Sequence, residues 1–151
     1  MQNNEGTAAL EASMAQHVWA LLVQVAFDRV HRYFATTAAE MDLAPAQAAA
    51  LQELRPDAPI SMRELAGRLK CDPSNITGLI DRLEMRGLVE RRAHPADRRI
   101  KYLVLTIDGQ AVREQLAARL YAAPGWLSDL GESDQQALRE LLMRVLRSRI
   151  A

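Results

Sequence analysis

Residues 61–87 read SMRELAGRLKCDPSNITGLIDRLEMRG, and their punctuation decides the fold. Ser61 with Glu64 three residues later is a capping box, in which each side chain satisfies a backbone N–H at the start of a helix. Leu65, Ala66 and Leu69 give that helix an apolar face. Asp72-Pro73 then opens a second helix, with Asp as N-cap and Pro at the first position, where its missing N–H is harmless. That helix runs to about Arg86 and stops at Gly87, which readily takes the left-handed conformation. Only Lys70, Cys71 and Asp72 separate the two helices, the spacing of a helix-turn-helix.

The second helix has two faces. Ile76, Leu79, Ile80 and Leu83 form an i, i+3, i+4, i+7 stripe that anchors it to a core. Ser74, Asn75, Thr77, Gly78, Asp81 and Arg82 fall mostly off that stripe. Ser and Thr hydroxyls donate or accept hydrogen bonds, and Asn pairs bidentately with adenine, so this edge suits a major groove. It lies at the N-terminal end of the helix, the end that meets base edges in such motifs. Gly78 removes bulk where a backbone can approach DNA. A polar helix face with a flexible Gly is the plainer reading of the same residues.

Downstream, residues 88–92 and 100–106 read as two strands joined by a turn at His94-Pro95-Ala96-Asp97. Asp97-Arg98-Arg99 and Lys101 make this hairpin basic, and a basic hairpin tip reaches a narrow minor groove, where negative potential is concentrated. Asp97 itself repels phosphate; its role is to pair with Arg99 and fix the guanidinium. Thr106 can cap a helix over Ile107–Ala122, interrupted by Pro124-Gly125, and a last helix starts near Ser133, with Gln136 completing another box. Upstream, residues 1–10 read as a loose terminus. Residues 11–40 contain neither Gly nor Pro and space Val18, Leu21, Leu22, Val25, Val30, Tyr33 and Phe34 as one long amphipathic helix, its apolar face widened by Trp19 and Phe27. Such a surface needs a partner, in the same chain or in another copy. Pro45 opens a short helix to about Leu54. The fold class is therefore mainly α with a small β-hairpin wing: a winged helix-turn-helix flanked by N- and C-terminal helices.

The 151 residues have a net charge of zero, unevenly spread. Residues 1–60 hold three Arg against seven acids, whereas residues 82–101 hold six Arg and one Lys against three acids. The field of such a segment is local, screened within ~10 Å, so a neutral protein can still bind phosphate through it. A single cysteine, Cys71, excludes an intramolecular disulfide. No signal-peptide pattern or membrane span is present, which leads to the expectation of a soluble, cytoplasmic protein without membrane attachment. No nucleophile–base pair, phosphate-cradling loop or paired-acid signature points to catalysis. His17, His31 and His94 are too scattered to bind a metal, and nothing calls for a cofactor.

Residues 72–91 (DPSNITGLIDRLEMRGLVER), followed by Asp97-Arg98-Arg99 and Leu105-Thr106-Ile107-Asp108-Gly109, resemble the multiple antibiotic resistance regulator (MarR) family. The resemblance implies one domain over 1–151. In it 44–106 form the DNA-binding lobe, and 11–40 and 108–150 form dimerisation helices. It implies a homodimeric transcriptional regulator of double-stranded DNA, most members being repressors. It puts Ser74, Asn75 and Thr77 at the base-reading positions, Arg99 at the wing arginine with Asp97 as its orienting acid, and Arg98 and Arg82 at phosphates. Many members release a pseudo-palindromic operator when a small, often phenolic or aromatic acid, effector binds between the dimer helices and the lobes. Ala44 and Gly131 depart from the family's usual Ser or Thr caps, with Ser133 a substitute for the second. Two other readings stand beside this one. Cys71, next to a helix N-terminus that lowers a thiol's pKa, could serve an oxidant sensor, although it also suits a small buried turn residue. The winged helix could also be a protein-interaction module.

Overall fold

The computed structural model describes residues 2–93 and 101–148, with side chains from residue 13 onward. The chain divides into two compact units, residues 1–120 and 121–151.

In the first unit a helical run opens at Gln2, so the expected loose terminus is helical. It consists of α1 (Gln2–Val25), a π-helical segment (Ala26–His31) and α2 (Arg32–Ala39). The single long α-helix expected over 11–40 is thus broken in geometry though not in continuity. A π turn holds more residues than an α turn, so it offsets the phase of the residues beyond it. Before the offset, Val18, Leu21, Leu22 and Val25 are exposed; after it, Thr37 and Ala38 are buried and Tyr33 and Phe34 half-buried.

α3 (Pro45–Glu53) follows a turn in which Asp42 takes a left-handed backbone, φ 54°. Its N-cap is Ala44, which has no side-chain acceptor, but the buried Gln47 supplies the reciprocal bond: its Oε1 accepts the Ala44 N–H at 2.9 Å. Next come β1 (Ile60–Ser61), α4 (Met62–Leu69), α5 (Pro73–Met85), β2 (Val89–Ala93), β3 (Lys101–Leu105) and α6 (Ile107–Leu120). The strands form an antiparallel sheet in the order β1-β3-β2, with Ile60 opposite Leu103, Val89 opposite Leu105 and Ala93 opposite Lys101. The two antiparallel strands of the expected hairpin are present, its turn lying outside the described residues, and β1 adds a third strand. Two residues are too few to show an alternating pattern, so nothing in the sequence announced it.

The core gathers one apolar face from each element: Leu51 of α3, Leu65 of α4, Ile76, Ile80 and Leu83 of α5, Leu103 of β3 and Leu116 of α6, all essentially inaccessible. Each such side chain contributes about 1.5–3 kcal/mol on burial, enough to fix which face of a helix turns inward. α6 closes over the wing through Thr106. Its Oγ1 accepts the Gly109 N–H at 2.9 Å and donates to the Gly87 carbonyl at 2.6 Å.

The second unit holds α7 (Gly125–Ser128) and α8 (Glu132–Arg147). α8 begins one residue before the expected Ser133, with Gly131 as an N-cap that offers no side-chain acceptor. Ser133 lies inside the first turn and does not replace the missing cap. Gln136 reaches forward to Glu140 rather than back to complete a box, and Gln135 donates to the Leu130 carbonyl at 2.8 Å. Among the described residues, no helix is long and apolar enough to cross a membrane.

Candidate nucleic-acid interface

The helix-turn-helix is built from two helix ends that meet in a three-residue turn. At the start of α4 the capping box forms in both directions: the Glu64 N–H donates to Ser61 Oγ at 3.2 Å, and the Ser61 N–H donates to Glu64 Oε2 at 2.7 Å. The Ser61 backbone N–H, and to a lesser extent the Ser61 side chain, hold the Glu64 carboxyl below the usual carboxylate range. α4 ends at Lys70, whose backbone is left-handed at φ 50° and ψ 42°. The Cys71 N–H then bonds back to the Ala66 carbonyl at 3.1 Å, which reverses the chain toward α5.

Asp72 starts α5. Its Oδ1 accepts the Ser74 N–H at 2.8 Å and the Ser74 hydroxyl at 2.7 Å. Both bonds favour the charged form, the hydroxyl more strongly, and hold the carboxyl below its ordinary range. At the other end Gly87, φ 68°, closes the helix: its N–H reaches the Glu84 carbonyl at 2.9 Å, and the Leu88 N–H reaches the Leu83 carbonyl at 3.0 Å. That pair of bonds is a Schellman motif, and Leu88 beyond it is buried, as the motif favours.

Between these caps α5 separates its faces as the spacing predicts. Ile76, Ile80 and Leu83 are buried and Leu79 half-buried, whereas Ser74, Asn75, Thr77, Gly78, Asp81 and Arg82 are exposed. A Cβ built on Gly78 meets nothing within 4 Å, so the backbone there is open to a large partner. Among the described residues, the side chains of Asn75, Thr77 and Arg82 make no hydrogen bond or ion pair. Beside this edge, toward the N-terminal end of α3, runs a groove of about 640 Å³, lined by Ala46, Ala49, Leu79, Asn75 and Arg82 among others. Cys71 also lines it, half-exposed and packed partly on the core.

The basic segment is less free than its sequence balance implies. Arg91 on β2 pairs with both Glu84 and, at 2.6 Å, Asp81, while its backbone N–H donates to Glu84 at 3.2 Å. Arg86 donates to the carbonyls of Asp42 and Met41, and Arg92 pairs with Glu90. These three guanidiniums are tied to acceptors within the chain; among the described residues, Arg82 and the exposed Lys101 are not. Arg86 and Arg91 went unassigned in the sequence because their partners are set by the fold, 44 and 10 residues away for Asp42 and Asp81. The wing-tip residues His94, Asp97, Arg98 and Arg99 lie outside the described residues. Among the described residues, no group of three or more His, Cys, Asp or Glu side chains could hold a metal.

A helix-turn-helix whose second helix buries an apolar stripe and exposes a polar edge, followed by β2 and β3 with β1 paired to β3, is a winged helix-turn-helix. Residues 43–101 match the MarR family. The transcriptional repressor MdtR of Bacillus subtilis is 30% identical over 115 residues, covering 76% of this chain and 74% of MdtR. The chain belongs to the MarR family. Solved structures of MarR-like proteins share its fold over nearly their whole length. YusO from Bacillus subtilis matches with a TM-score of 0.73 at 25% identity, covering 91% of this chain and 99% of YusO. The apo form of MarR from E. coli matches with a TM-score of 0.73 at 28% identity, covering 84% and 95%. This MarR-family protein is accordingly a DNA-binding transcriptional regulator and not an enzyme.

Proposed function

We propose that this protein is a homodimeric repressor that sets α5 of each copy into successive major grooves of a pseudo-palindromic operator, ~34 Å apart. One observation carries the reading: α5 turns Ser74, Asn75, Thr77, Gly78 and Arg82 outward as one polar edge while Ile76, Ile80 and Leu83 hold the helix to the core. In this reading Ser74, Asn75 and Thr77 meet bases and Arg82 meets phosphate. On the wing, Arg99, oriented by Asp97, enters the minor groove, and Arg98 meets phosphate. Repression is supported by the relative MdtR, a transcriptional repressor. Dimerisation through the terminal helices is supported by the apolar side chains exposed on α1 and α8, Trp19, Leu22, Leu141 and Val145 among them. Soluble monomers rarely leave contiguous apolar surface uncovered.

Release by a small aromatic acid is the finer part of the proposal. The effector acts by binding the DNA-free arrangement more tightly than the DNA-bound one, and only that difference shifts the balance.

The test is fluorescence anisotropy with duplex DNA from upstream of the protein's own coding region. Specific binding whose logarithm falls steeply with the logarithm of salt concentration supports the reading, because each neutralised phosphate releases counterions. Binding with a flat salt response would instead favour a protein-interaction module. Arg99→Ala should weaken operator binding and leave the dimer intact. A hydroxybenzoate titration of the preformed complex tests release, and a Cys71→Ser protein that responds normally to peroxide removes the oxidant-sensing alternative.

A further inference from the structure

We propose that Ser74 reads DNA only as a hydrogen-bond acceptor and so specifies a base with an exocyclic amino group in the major groove, adenine or cytosine. The proposal rests on α5 being the recognition helix, and refines what one of its residues recognises.

A serine hydroxyl has one proton and two acceptor lone pairs. Here the proton is committed: Ser74 Oγ donates to Asp72 Oδ1 at 2.7 Å. An ionised carboxylate is acceptor-only, so the direction of this bond is not in doubt. Asp72 is held in place independently, because the same oxygen caps α5 by accepting the Ser74 N–H at 2.8 Å. The carboxyl also stays charged well into acid, since these two bonds stabilise its anion. Ser74 Oγ therefore faces outward, on an exposed residue, with lone pairs and no proton to give.

The major groove offers few matches to such a group. Guanine presents N7 and O6 and thymine O4, all acceptors; only adenine N6 and cytosine N4 donate. Phosphate oxygens are acceptors as well, so Ser74 cannot serve as a backbone contact without abandoning Asp72. The neighbouring negative carboxylate adds a repulsive element against any acceptor brought to the same place, and specificity gains from such penalties as much as from attraction. Asn75 and Thr77 carry no such commitment among the described residues, and each keeps both donor and acceptor capacity.

The experiment begins with selection of binding sites from a random duplex pool by the full-length protein and by Ser74→Ala, at one salt concentration. The alanine variant retains the Asp72 cap on the Ser74 backbone N–H, so helix α5 is kept, as a thermal melt will verify. Wild type should prefer one base pair at one position of each half-site, and Ser74→Ala should relax that position alone; the adenine or cytosine of that pair is then the base to test. Replacing that base by its amino-free analogue, purine for adenine or 2-pyrimidinone for cytosine, should weaken wild-type binding by roughly two- to tenfold, the worth of one hydrogen bond, and leave Ser74→Ala unaffected. The proposal is overturned if the selected site is the same for both proteins, or if purine or 2-pyrimidinone in the relaxed base pair leaves wild-type affinity unchanged. It is equally overturned if wild type tolerates the loss of the amino group at every adenine and cytosine of its half-site, a result that needs no variant. A wild-type protein that selects no sequence at all would instead remove the recognition-helix reading beneath it.

Discussion

Lys70 holds a left-handed backbone, φ 50° and ψ 42°, at the end of α4. A residue with a Cβ pays roughly 1–2 kcal/mol for that conformation, and glycine avoids the penalty. It is not legible in the residue itself, because lysine rarely takes a left-handed backbone and the strain appears only once the turn is seen. Its side chain is exposed in the turn that leads into α5, so under the proposed function its charge lies near the DNA. Lys70→Gly should therefore raise the melting temperature and weaken DNA binding together, with a shallower salt slope; a variant stabilised with unchanged affinity would show the charge to be idle. The neighbouring caps make a second prediction. Asp72 and Glu64 both have carboxyl groups lowered below their ordinary values, by the Ser74 hydroxyl and the Ser61 N–H respectively. A group depressed on folding stabilises the fold above its unfolded pKa, and that contribution is lost as pH falls through the folded value. The stability gap between wild type and an Asp72→Asn, Glu64→Gln double variant should be constant above about pH 5 and close below about pH 4. Melts across that range check it, and a gap independent of pH would assign the capping to geometry rather than charge. Both caps were readable from sequence, since each joins residues two or three apart.

At the scale of elements, the wing is strapped to the recognition helix by Arg91, which reaches Asp81 and Glu84 from β2. The strap also neutralises two carboxylates on the helix that the proposed function sets against DNA. Arg91→Ala should lower stability by on the order of 1 kcal/mol, as befits a half-exposed pair, yet weaken operator binding by more than that loss explains. Arg91→Lys should recover little, because a lysine ammonium lacks the planar fork that engages two carboxylates at once. Equal losses in stability and binding across both variants would reduce Arg91 to an ordinary surface ion pair. Gly109 is the second joint. A Cβ there would lie 1.8 Å from the Leu88 carbonyl oxygen, so α6 can rest against the start of the wing only without a side chain. Gly109→Ala should destabilise by about 1–3 kcal/mol, read in chemical denaturation, because the obstruction is backbone and cannot swing aside. Sequence periodicity found the helices and the hairpin because each buries a face at a regular interval. It missed β1, whose pairing of Ile60 with Leu103 spans 43 residues, and it gave Arg86 and Arg91 only as part of a basic segment because their acceptors are a matter of packing.

For the whole molecule, the residues proposed to carry DNA recognition and those proposed to carry assembly differ in how they can be read. The recognition elements lie within residues 61–105 and satisfy most of their own core, so one chain suffices to describe them. The terminal helices do not: Trp19 and Phe27 are more than two-thirds exposed, and Val145 and Leu146 are also open. In the proposed function a second copy covers them, and neither a single sequence nor a single chain contains the geometry of such a pair. This makes dimerisation the most consequential test of the proposed function, because half-site spacing on an operator exists only for a pair. If α1 supplies the interface, stability becomes inseparable from association, and the melting temperature should rise with protein concentration. Leu22→Glu, which sets an unpaired charge on the exposed apolar stretch of α1, should shift the mass measured by light scattering from two copies to one. It should leave the core of the first unit folded, since Leu22 is not among its buried residues. The same variant should lose most of its affinity for a two-half-site duplex while its weak binding to a single half-site persists. A Leu22→Glu protein that remains dimeric and binds the full site normally would move the interface away from α1, and with it the link between the terminal helices and operator recognition.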